Sequence, residues 1–133
     1  MALILLDSGT IIGFLDVDDA FHAVADAKLR ALVGHETLLA SVVTYAELLA
    51  GVHLGHQAEE PTRGFFNDIV NHLVPVDVVV AERAAHLRGR RQGVKMSDAL
   101  IIATAEVHAD AIVTSDDQWP KLALECHVDL LTP

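Results

Sequence analysis

The chain has 133 residues, a length that favours one domain over residues 1–133 with a single hydrophobic core. Hydrophobic residues make up 52% of it, mostly Ala, Val, Leu and Ile with few aromatics, which argues against disorder and favours helices packed on a parallel sheet. The formal charge of −10 argues against broad electrostatic attraction to nucleic acid, because such attraction normally depends on many Lys and Arg side chains.

The first half of the chain alternates between strand and helix patterns. We predict strands at Leu3–Leu6 and Thr37–Ala40, a short helix at Thr10–Leu15, a helix at Ala20–Leu32, and a helix that starts at Ser41 or Thr44 and ends near Gly51 or Gly55. Either Asp18 or Asp19 is expected to cap the helix that runs to Leu32, because a carboxylate can accept a free N–H of the first turn.

The same alternation continues through the second half. We predict helices from Pro61 to about His72, at Val79–Arg91 with Asp77 as its cap, and from Ser97 or Asp98 to about His108, strands at Leu73–Val76, Ala111–Thr114 and His127–Leu130, and a loop or short helix at Asp116–Leu124. Strands that alternate with helices in this way form a mainly parallel sheet covered by helices on both faces, so the predicted fold class is α/β.

The sequence also bears on the compartment. The longest apolar stretches are far shorter than the ~20 residues of a membrane-spanning helix, and Asp7 interrupts the first apolar run too early for a secretory signal. Cys126 is the only cysteine, so no internal disulfide can form, and we interpret it as a small buried hydrophobe. We therefore expect a cytoplasmic protein with no membrane segment.

Four acidic residues lie where hydrophobic segments end or begin: Asp7, Glu47, Asp98 and Asp116. Each has an ordinary structural explanation, as a helix cap, as a favourable charge at a helix N-terminus, or as a surface residue. Glu47 fits that explanation least well, because it lies on a mostly apolar helix where a carboxylate needs a partner. Since the ends of parallel strands meet at one edge of the sheet, we expect the four acids to form one site.

Clustered carboxylates repel one another strongly, by about 4 kcal/mol for two unit charges 4 Å apart at an effective dielectric near 20. Without a cation, some of them would have to bind protons. Oxygen ligands with several retained waters are what Mg²⁺ prefers, and such a cation can polarise a phosphoryl oxygen and activate a water molecule. The four acids therefore predict metal-assisted phosphate chemistry with Mg²⁺ or Mn²⁺.

Four segments, in order and spacing, carry a family resemblance: LILLDSGTIIGFLD, SVVTYAELLAG, MSDALIIATA and IVTSDDQW. They resemble the acidic motifs of PIN-domain ribonucleases, and within that family the VapC-like toxins of type II toxin–antitoxin pairs. The resemblance covers essentially the whole chain. It implies that Asp7, Glu47, Asp98 and Asp116 are the metal-binding and catalytic acids. By the same resemblance Thr114 is the hydroxyl residue of a T-x-D motif, Ser8 is a small hydroxyl residue after the first acid, and Trp119 takes the position of a common aromatic.

The resemblance also implies a fold, an activity and partners. The fold would be a three-layer α/β/α PIN-like domain with a central, mainly parallel sheet. The activity would be that of a Mg²⁺- or Mn²⁺-dependent endoribonuclease that leaves 5′-phosphate and 3′-hydroxyl ends. The partners would be an RNA substrate, a cognate VapB-like antitoxin whose basic or aromatic tail covers the acidic groove, and a second copy of the chain in a homodimer.

Two positions depart from the family pattern. Gly9 follows Ser8 where a larger residue is usual, and Asp117 adds an acid beside Asp116. Neighbouring residues at a strand end point in different directions, so we expect one of the two acids to face the metal. The positions of Thr114 and Trp119 favour Asp116, and Asp117 would then lie at the rim or cap the short helix that follows.

Five basic residues are concentrated just before Asp98: Arg83, Arg88, Arg90, Arg91 and Lys95. They could form a local patch that steers phosphate toward the acids, or an ordinary solvated helix face, and the sequence leaves both interpretations open.

Two other functions compete with the nuclease. In the first, DSGT is the nucleophile motif of a haloacid-dehalogenase-like phosphatase, with Lys95 steadying phosphate and Asp116 and Asp117 holding Mg²⁺. It fits less well, because Gly9 stands where such enzymes usually carry a second acid and because Glu47 would have no role. In the second, the chain is a weakly active PIN-like module that serves to bind a partner.

Overall fold

The computed structural model describes residues 1–133. Five strands are present, namely β1 (Leu3–Leu6), β2 (Thr37–Ser41), β3 (His72–Val74), β4 (Ala111–Thr114) and β5 (His127–Leu130). Six α-helices accompany them: α1 (Ser8–Leu15), α2 (His22–Leu32), α3 (Val42–His53), α4 (Glu59–Asp68), α5 (Val78–Arg90) and α6 (Met96–His108). A short 3-10 helix covers Trp119–Leu122.

The five strands form one sheet in the order β3-β2-β1-β4-β5, and all four strand pairs are parallel. From β1 the chain builds the sheet first toward β2 and β3, then returns to the other side of β1 to add β4 and β5. The order therefore reverses between β1 and β4. In open α/β sheets a ligand crevice forms at such a point, outside the carboxyl ends of the strands.

Helices cover both faces of this sheet, because successive strand side chains point to opposite sides. Ile4 and Leu6 pack in a core with α1, α2, α3 and α4, whereas Leu5 packs in a second core with α5 and α6. The predicted three-layer α/β/α architecture is confirmed. Both cores consist mainly of aliphatic side chains, as the composition predicts.

At the start of three helices, the side chain of the residue before the helix accepts a backbone N–H of the first turn. Asp7 Oδ1 accepts the N–H of Thr10 at the start of α1, and Ser41 Oγ accepts the N–H of Val43 at the start of α3. The predicted cap Asp77 accepts the N–H of Val80 at the start of α5. Each of these contacts satisfies an N–H that has no partner within the helix, typically worth about 1 kcal/mol.

Some predicted boundaries are wrong. The fourth helix ends at Asp68 instead of about His72, and β3 covers His72–Val74 instead of Leu73–Val76. The reason is tertiary: Asn71 bonds Leu38 twice, through its backbone N–H and its side-chain oxygen, which aligns the chain with β2 from that point on. Pro75 then ends the strand, because proline has no N–H to donate to the sheet.

Other differences are small. The predicted cap of α2 by Asp18 or Asp19 is wrong, because the helix starts at His22 and Asp19 accepts the N–H of Phe21 in the preceding turn. Helix α6 begins at Met96, slightly before the predicted start at Ser97 or Asp98. Cys126 is buried, and burial raises the pKa of its thiol to about 11, as suits an unreactive core residue. None of the helices combines the length and apolar character that crossing a membrane requires.

Candidate active site

The candidate site is a small cavity of about 200 Å³ outside the carboxyl ends of β1 and β4, at the point where the strand order reverses. All four predicted acids line it. Its lining comes from four separate parts of the chain: Asp7, Ser8, Gly9, Glu47, Asp98, Ile101, Ser115, Asp116 and Trp119. The fold therefore brings together acids from opposite ends of the sequence, since Asp7 and Asp116 both line the cavity.

Asp7 is the most buried of the acids, with 5% of its surface exposed. It directly follows β1, and its own N–H donates to Val113 of β4. Oδ1 accepts the N–H of Thr10 at 2.7 Å, and Oδ2 accepts the Thr114 hydroxyl at 2.6 Å. Burial raises the pKa of Asp7 and the Asp116 charge adds to the rise, although the hydrogen bonds from Thr114 and Thr10 oppose it.

Thr114 connects the first acid to the last. It is fully buried at the end of β4, where its hydroxyl donates to Asp7 and accepts the backbone N–H of Asp116 at 3.0 Å. A threonine hydroxyl can do both, because it has one proton and two lone pairs. Thr114 therefore holds the Asp7 carboxylate and the chain at Asp116 in fixed relative positions.

Glu47 is exposed on α3, although most residues of this helix are apolar. It nevertheless has a partner: the Ser8 hydroxyl donates to Glu47 Oε1 at 2.7 Å and lies 3.1 Å from the Thr44 hydroxyl. This contact fixes Glu47 against the first turn of α1. The structure thus gives Ser8 a positioning role toward the acid of α3.

Asp98 lies in the first turn of α6 and is partly buried. Burial raises its pKa, and the charges of Glu47 and Asp116 add to the rise, while the nearby Lys95 ammonium lowers it. The charges of two of the other acids therefore repel the Asp98 carboxylate. Together with the effect of Asp116 on Asp7, these shifts indicate one electrostatically coupled group of carboxylates.

The structure separates Asp116 from its neighbour. Asp116 is partly buried, lines the cavity and accepts the N–H of Gln118 at 2.9 Å. Asp117 is exposed, lies outside the cavity lining and contacts only the side-chain amide of Gln118. Asp117 was predicted to lie at the rim or to cap the following helix; that helix has no side-chain cap, so the rim position is the alternative that agrees with the structure. The geometry favours Asp116 as the site residue.

Replacement of these two acids should therefore have different effects. We expect Asp116→Ala to lower the rate of RNA cleavage by at least about tenfold, since it removes a carboxylate from the cavity. Asp117→Ala should leave the rate nearly unchanged and alter the unfolding free energy by less than about 0.5 kcal/mol, as for most surface substitutions. Single-turnover kinetics at saturating divalent cation compare the two. A larger loss of rate in Asp117→Ala would reverse the assignment.

Gly9 marks a close approach between the two strand ends. A Cβ atom at this position would lie 2.8 Å from Ser115 Oγ, closer than real Cβ atoms approach a neighbour. The same Cβ would lie 3.8 Å from Asp7 Oδ1. The departure from the family pattern at Gly9 is thus matched by Ser115, whose hydroxyl occupies the space of a larger side chain.

The residues of the cavity fit a hard divalent cation through the chemistry of their donors, which are carboxylate and hydroxyl oxygens. As they stand, no three His, Cys, Asp or Glu side chains are placed to hold one metal ion directly. Asp7 and Glu47 already accept hydrogen bonds from Thr114 and Ser8. Because Mg²⁺ commonly uses one or two carboxylates and keeps several waters, a site in which some acids act through water agrees with both observations.

The sequence offered Asp7 as a helix cap, and the hydrogen bond that it accepts from the N–H of Thr10 agrees with that interpretation. Sequence reasoning missed Ser115, which fills the space above Gly9. No signal in the sequence could have found Ser115, because its role depends on how closely β4 approaches α1.

Comparisons with known proteins concern the family and the fold of the chain. The family model for the PIN domain matches residues 4–125. A toxin–antitoxin complex from Klebsiella pneumoniae is similar at 27% identity and a TM-score of 0.67, over 87% of this chain and 90% of that one. VapBC-5 from Mycobacterium tuberculosis, a member of a family of toxin–antitoxin systems, is similar at 26% identity and a TM-score of 0.66, over all of both chains.

A third structure shares the fold at lower identity. VapBC2 from Rickettsia felis, bound to a promoter DNA fragment, has a TM-score of 0.79 at 15% identity, over 98% of this chain and 99% of that one. A search of curated protein sequences found no significant match. The family model nevertheless covers most of the chain, including all four acids. The chain therefore belongs to the PIN-domain family, whose nucleases generally use divalent metal ions.

Proposed function

We propose that this protein is an endoribonuclease that uses Mg²⁺ or Mn²⁺ and acts as the toxin of a toxin–antitoxin pair. The observation that carries the proposal is the single cavity lined by Asp7, Glu47, Asp98 and Asp116, at the strand ends where this fold binds ligands. Membership of the PIN-domain family supports the nuclease activity. The similarity to toxin–antitoxin proteins at 26% and 27% identity supports the biological role.

In this proposal the four acids hold the cation, directly or through water. A cation bound there would polarise a phosphoryl oxygen of the RNA and lower the pKa of a bound water. Thr114 keeps Asp7 and the chain at Asp116 in place, and Ser8 keeps Glu47 against α1.

The test is incubation of the purified protein with total bacterial RNA in Mg²⁺, in Mn²⁺ and in EDTA, followed by mapping of the RNA ends. We expect discrete cuts with 5′-phosphate and 3′-hydroxyl ends in either metal and none in EDTA. Cuts of equal extent in EDTA would contradict the metal-dependent mechanism. No cuts in either metal, by protein that binds RNA, would favour the weakly active binding module.

The phosphatase alternative loses its support. The PIN-domain model covers the DSGT segment, and both oxygens of Asp7 accept hydrogen bonds inside the protein. A phosphatase would release inorganic phosphate from a small phosphomonoester and form an acid-labile adduct on Asp7. The same protein preparation can be tested for both products.

The partners follow from the same proposal. We propose a VapB-like antitoxin as the cognate partner, since the compared structures from Klebsiella pneumoniae and Mycobacterium tuberculosis are of toxin–antitoxin systems. A homodimer is also proposed, as the family resemblance implies. The first point is tested by looking for a short neighbouring gene that encodes a protein with an Arg-containing tail. The second is tested by measuring the mass of the protein in solution by light scattering.

Because the substrate would be RNA, we also propose a cytoplasmic location.

A further inference from the structure

A second and larger cavity, of about 640 Å³, lies beside the acidic one. The two cavities share Asp98, Asp116 and Trp119 in their linings, so they form one continuous groove. The far side of the larger cavity comes from the end of α5 and the loop to α6, and it carries Arg90, Arg91 and Lys95. One end of the groove is thus acidic and the other basic.

The basic residues around this cavity are unusual in having no acidic partner. The chain has nine Lys and Arg residues and nineteen Asp and Glu residues, so there are more than enough acids for every base to form an ion pair. Four bases elsewhere do form ion pairs: Lys28, Arg30, Arg63 and Arg83. The other five form none and lie between the end of α5 and the 3-10 helix: Arg88, Arg90, Arg91, Lys95 and Lys121. Of these five, Arg90, Arg91 and Lys95 lie together in the lining of the larger cavity.

The three bases that line the cavity are held differently. Arg90 donates to the backbone oxygen of Leu122 at 3.0 Å, so it connects α5 to the 3-10 helix. Arg91 and Lys95 are exposed, and no hydrogen bond or ion pair of their side chains is present. Lys95 is also close enough to Asp98 for its charge to lower the pKa of that carboxylate. These two side chains are therefore free to take an anionic ligand within the groove.

We propose that Arg91 and Lys95 form a phosphate-binding wall that holds the RNA strand beside the bond that is cut. This inference rests on the proposed nuclease function and adds the residues that position the substrate. Every nucleotide of a strand carries a phosphate, so a strand that follows the groove out of the acidic cavity places phosphates beside these bases. The wall also explains how a chain with a formal charge of −10 attracts a polyanion, because the attraction is local.

The first measurement is RNA binding without cleavage. All proteins carry Asp98→Asn, and the probe is a short, 5′-labelled single-stranded RNA of mixed sequence in Mg²⁺, with affinity measured over a series of KCl concentrations. We expect the double substitution Arg91→Gln and Lys95→Gln to weaken binding at least fivefold. The slope of log affinity against log salt should become shallower by about 1.4, or about 0.7 for each lost phosphate contact on a single strand.

Two controls separate local contact from overall charge. Arg30→Gln with Arg63→Gln removes the same two charges from helices of the other layer, and it should leave the salt slope unchanged. Arg91→Lys with Lys95→Arg keeps both charges and should retain the affinity. The proposal would be overturned if the wall variant and the variant at Arg30 and Arg63 lost RNA affinity equally. It would also be overturned if the salt slope of the wall variant were the same as that of the protein with both bases intact.

The second measurement uses the RNA cut by the wild-type protein. In the background with Asp98 intact, the wall substitutions should raise KM with little change in kcat, since both side chains lie outside the acidic cavity. If wild type cleaves the RNA and the wall substitutions leave KM unchanged, the phosphate-binding wall is contradicted. The nuclease assignment would not be affected by that result. Absence of cleavage by wild type in either metal would instead contradict the proposed function.

Discussion

Asp7→Asn and Asp98→Asn should each reduce RNA cleavage by more than about 100-fold, because loss of even an outer-sphere group of a metal site typically costs about 10- to 100-fold. Both substitutions remove a charge with little change in shape. Asparagine caps helices as well as aspartate does, so the amide oxygen of the Asp7→Asn variant can still accept the N–H of Thr10 at the start of α1. The Asp98 carboxylate makes no hydrogen bond that the change would break. The measurement is the initial cleavage rate at saturating Mg²⁺.

A matched control shows whether the effect is specific. Asp117→Asn also removes one negative charge, but from an exposed residue outside the cavity lining, and it should cleave at close to the wild-type rate. Circular dichroism and melting curves establish that the variants are folded. Undiminished cleavage by folded Asp7→Asn or Asp98→Asn would contradict the assignment of these acids to the active site.

Divalent cation should stabilise the wild-type protein. A ligand that binds only the folded state adds RT ln(1 + [L]/Kd), or about 2.7 kcal/mol at a hundredfold excess over Kd. Asp98→Asn relieves repulsion from Glu47 and Asp116, so the metal-free variant should melt at a higher temperature than metal-free wild type and gain less from Mg²⁺. Thermal unfolding with Mg²⁺ and with EDTA measures both quantities. If wild type gains nothing from millimolar Mg²⁺ and the variant is no more stable, the acids do not form one charged cluster.

The pH dependence of this difference has a defined sign. Burial raises the pKa of Asp98 in the folded protein above its unfolded value. The stability that its protonated form contributes is therefore fully present below about pH 3.9, the ordinary pKa of Asp, and is lost as the pH rises through the higher folded pKa. In EDTA, the advantage of Asp98→Asn over wild type should accordingly grow as the pH rises through that window. Acids far from the cavity contribute equally to both proteins and cancel.

Fold class was readable from the sequence because it depends on patterns within short segments. The apolar runs at Leu3–Leu6 and Ala111–Thr114 are strands with the predicted bounds, and the alternation with helices led to the α/β class. The pattern failed where two elements compete for the same residues. Asn71 follows the fourth helix in sequence, yet its backbone and side chain bond Leu38, and this long-range pairing decides where β3 starts.

The four acids were also nameable from the sequence, because each ends or begins an apolar segment and strand ends converge at one edge of a parallel sheet. The order and spacing of the four segments also predicted the family, and the match of the PIN-domain model over residues 4–125 confirms that prediction. Sequence alone could not say how the acids are held. That depends on Thr114 reaching Asp7 across neighbouring strands and on Ser8 reaching Glu47 on another helix.

The fold class, the family and the four acids that share the cavity could be predicted from the sequence, because they depend on local periodicity and on residue type. The family resemblance already favours Asp116 over Asp117, and the folded chain shows why the two differ: the course of the chain after β4 places Asp116 in the cavity lining and leaves Asp117 exposed outside it. The folded chain also divides the basic cluster into paired and unpaired residues. Arg83 pairs with Glu106 of α6, whereas Arg91 and Lys95 remain unpaired at the groove, and such differences depend on distances between residues far apart in the chain.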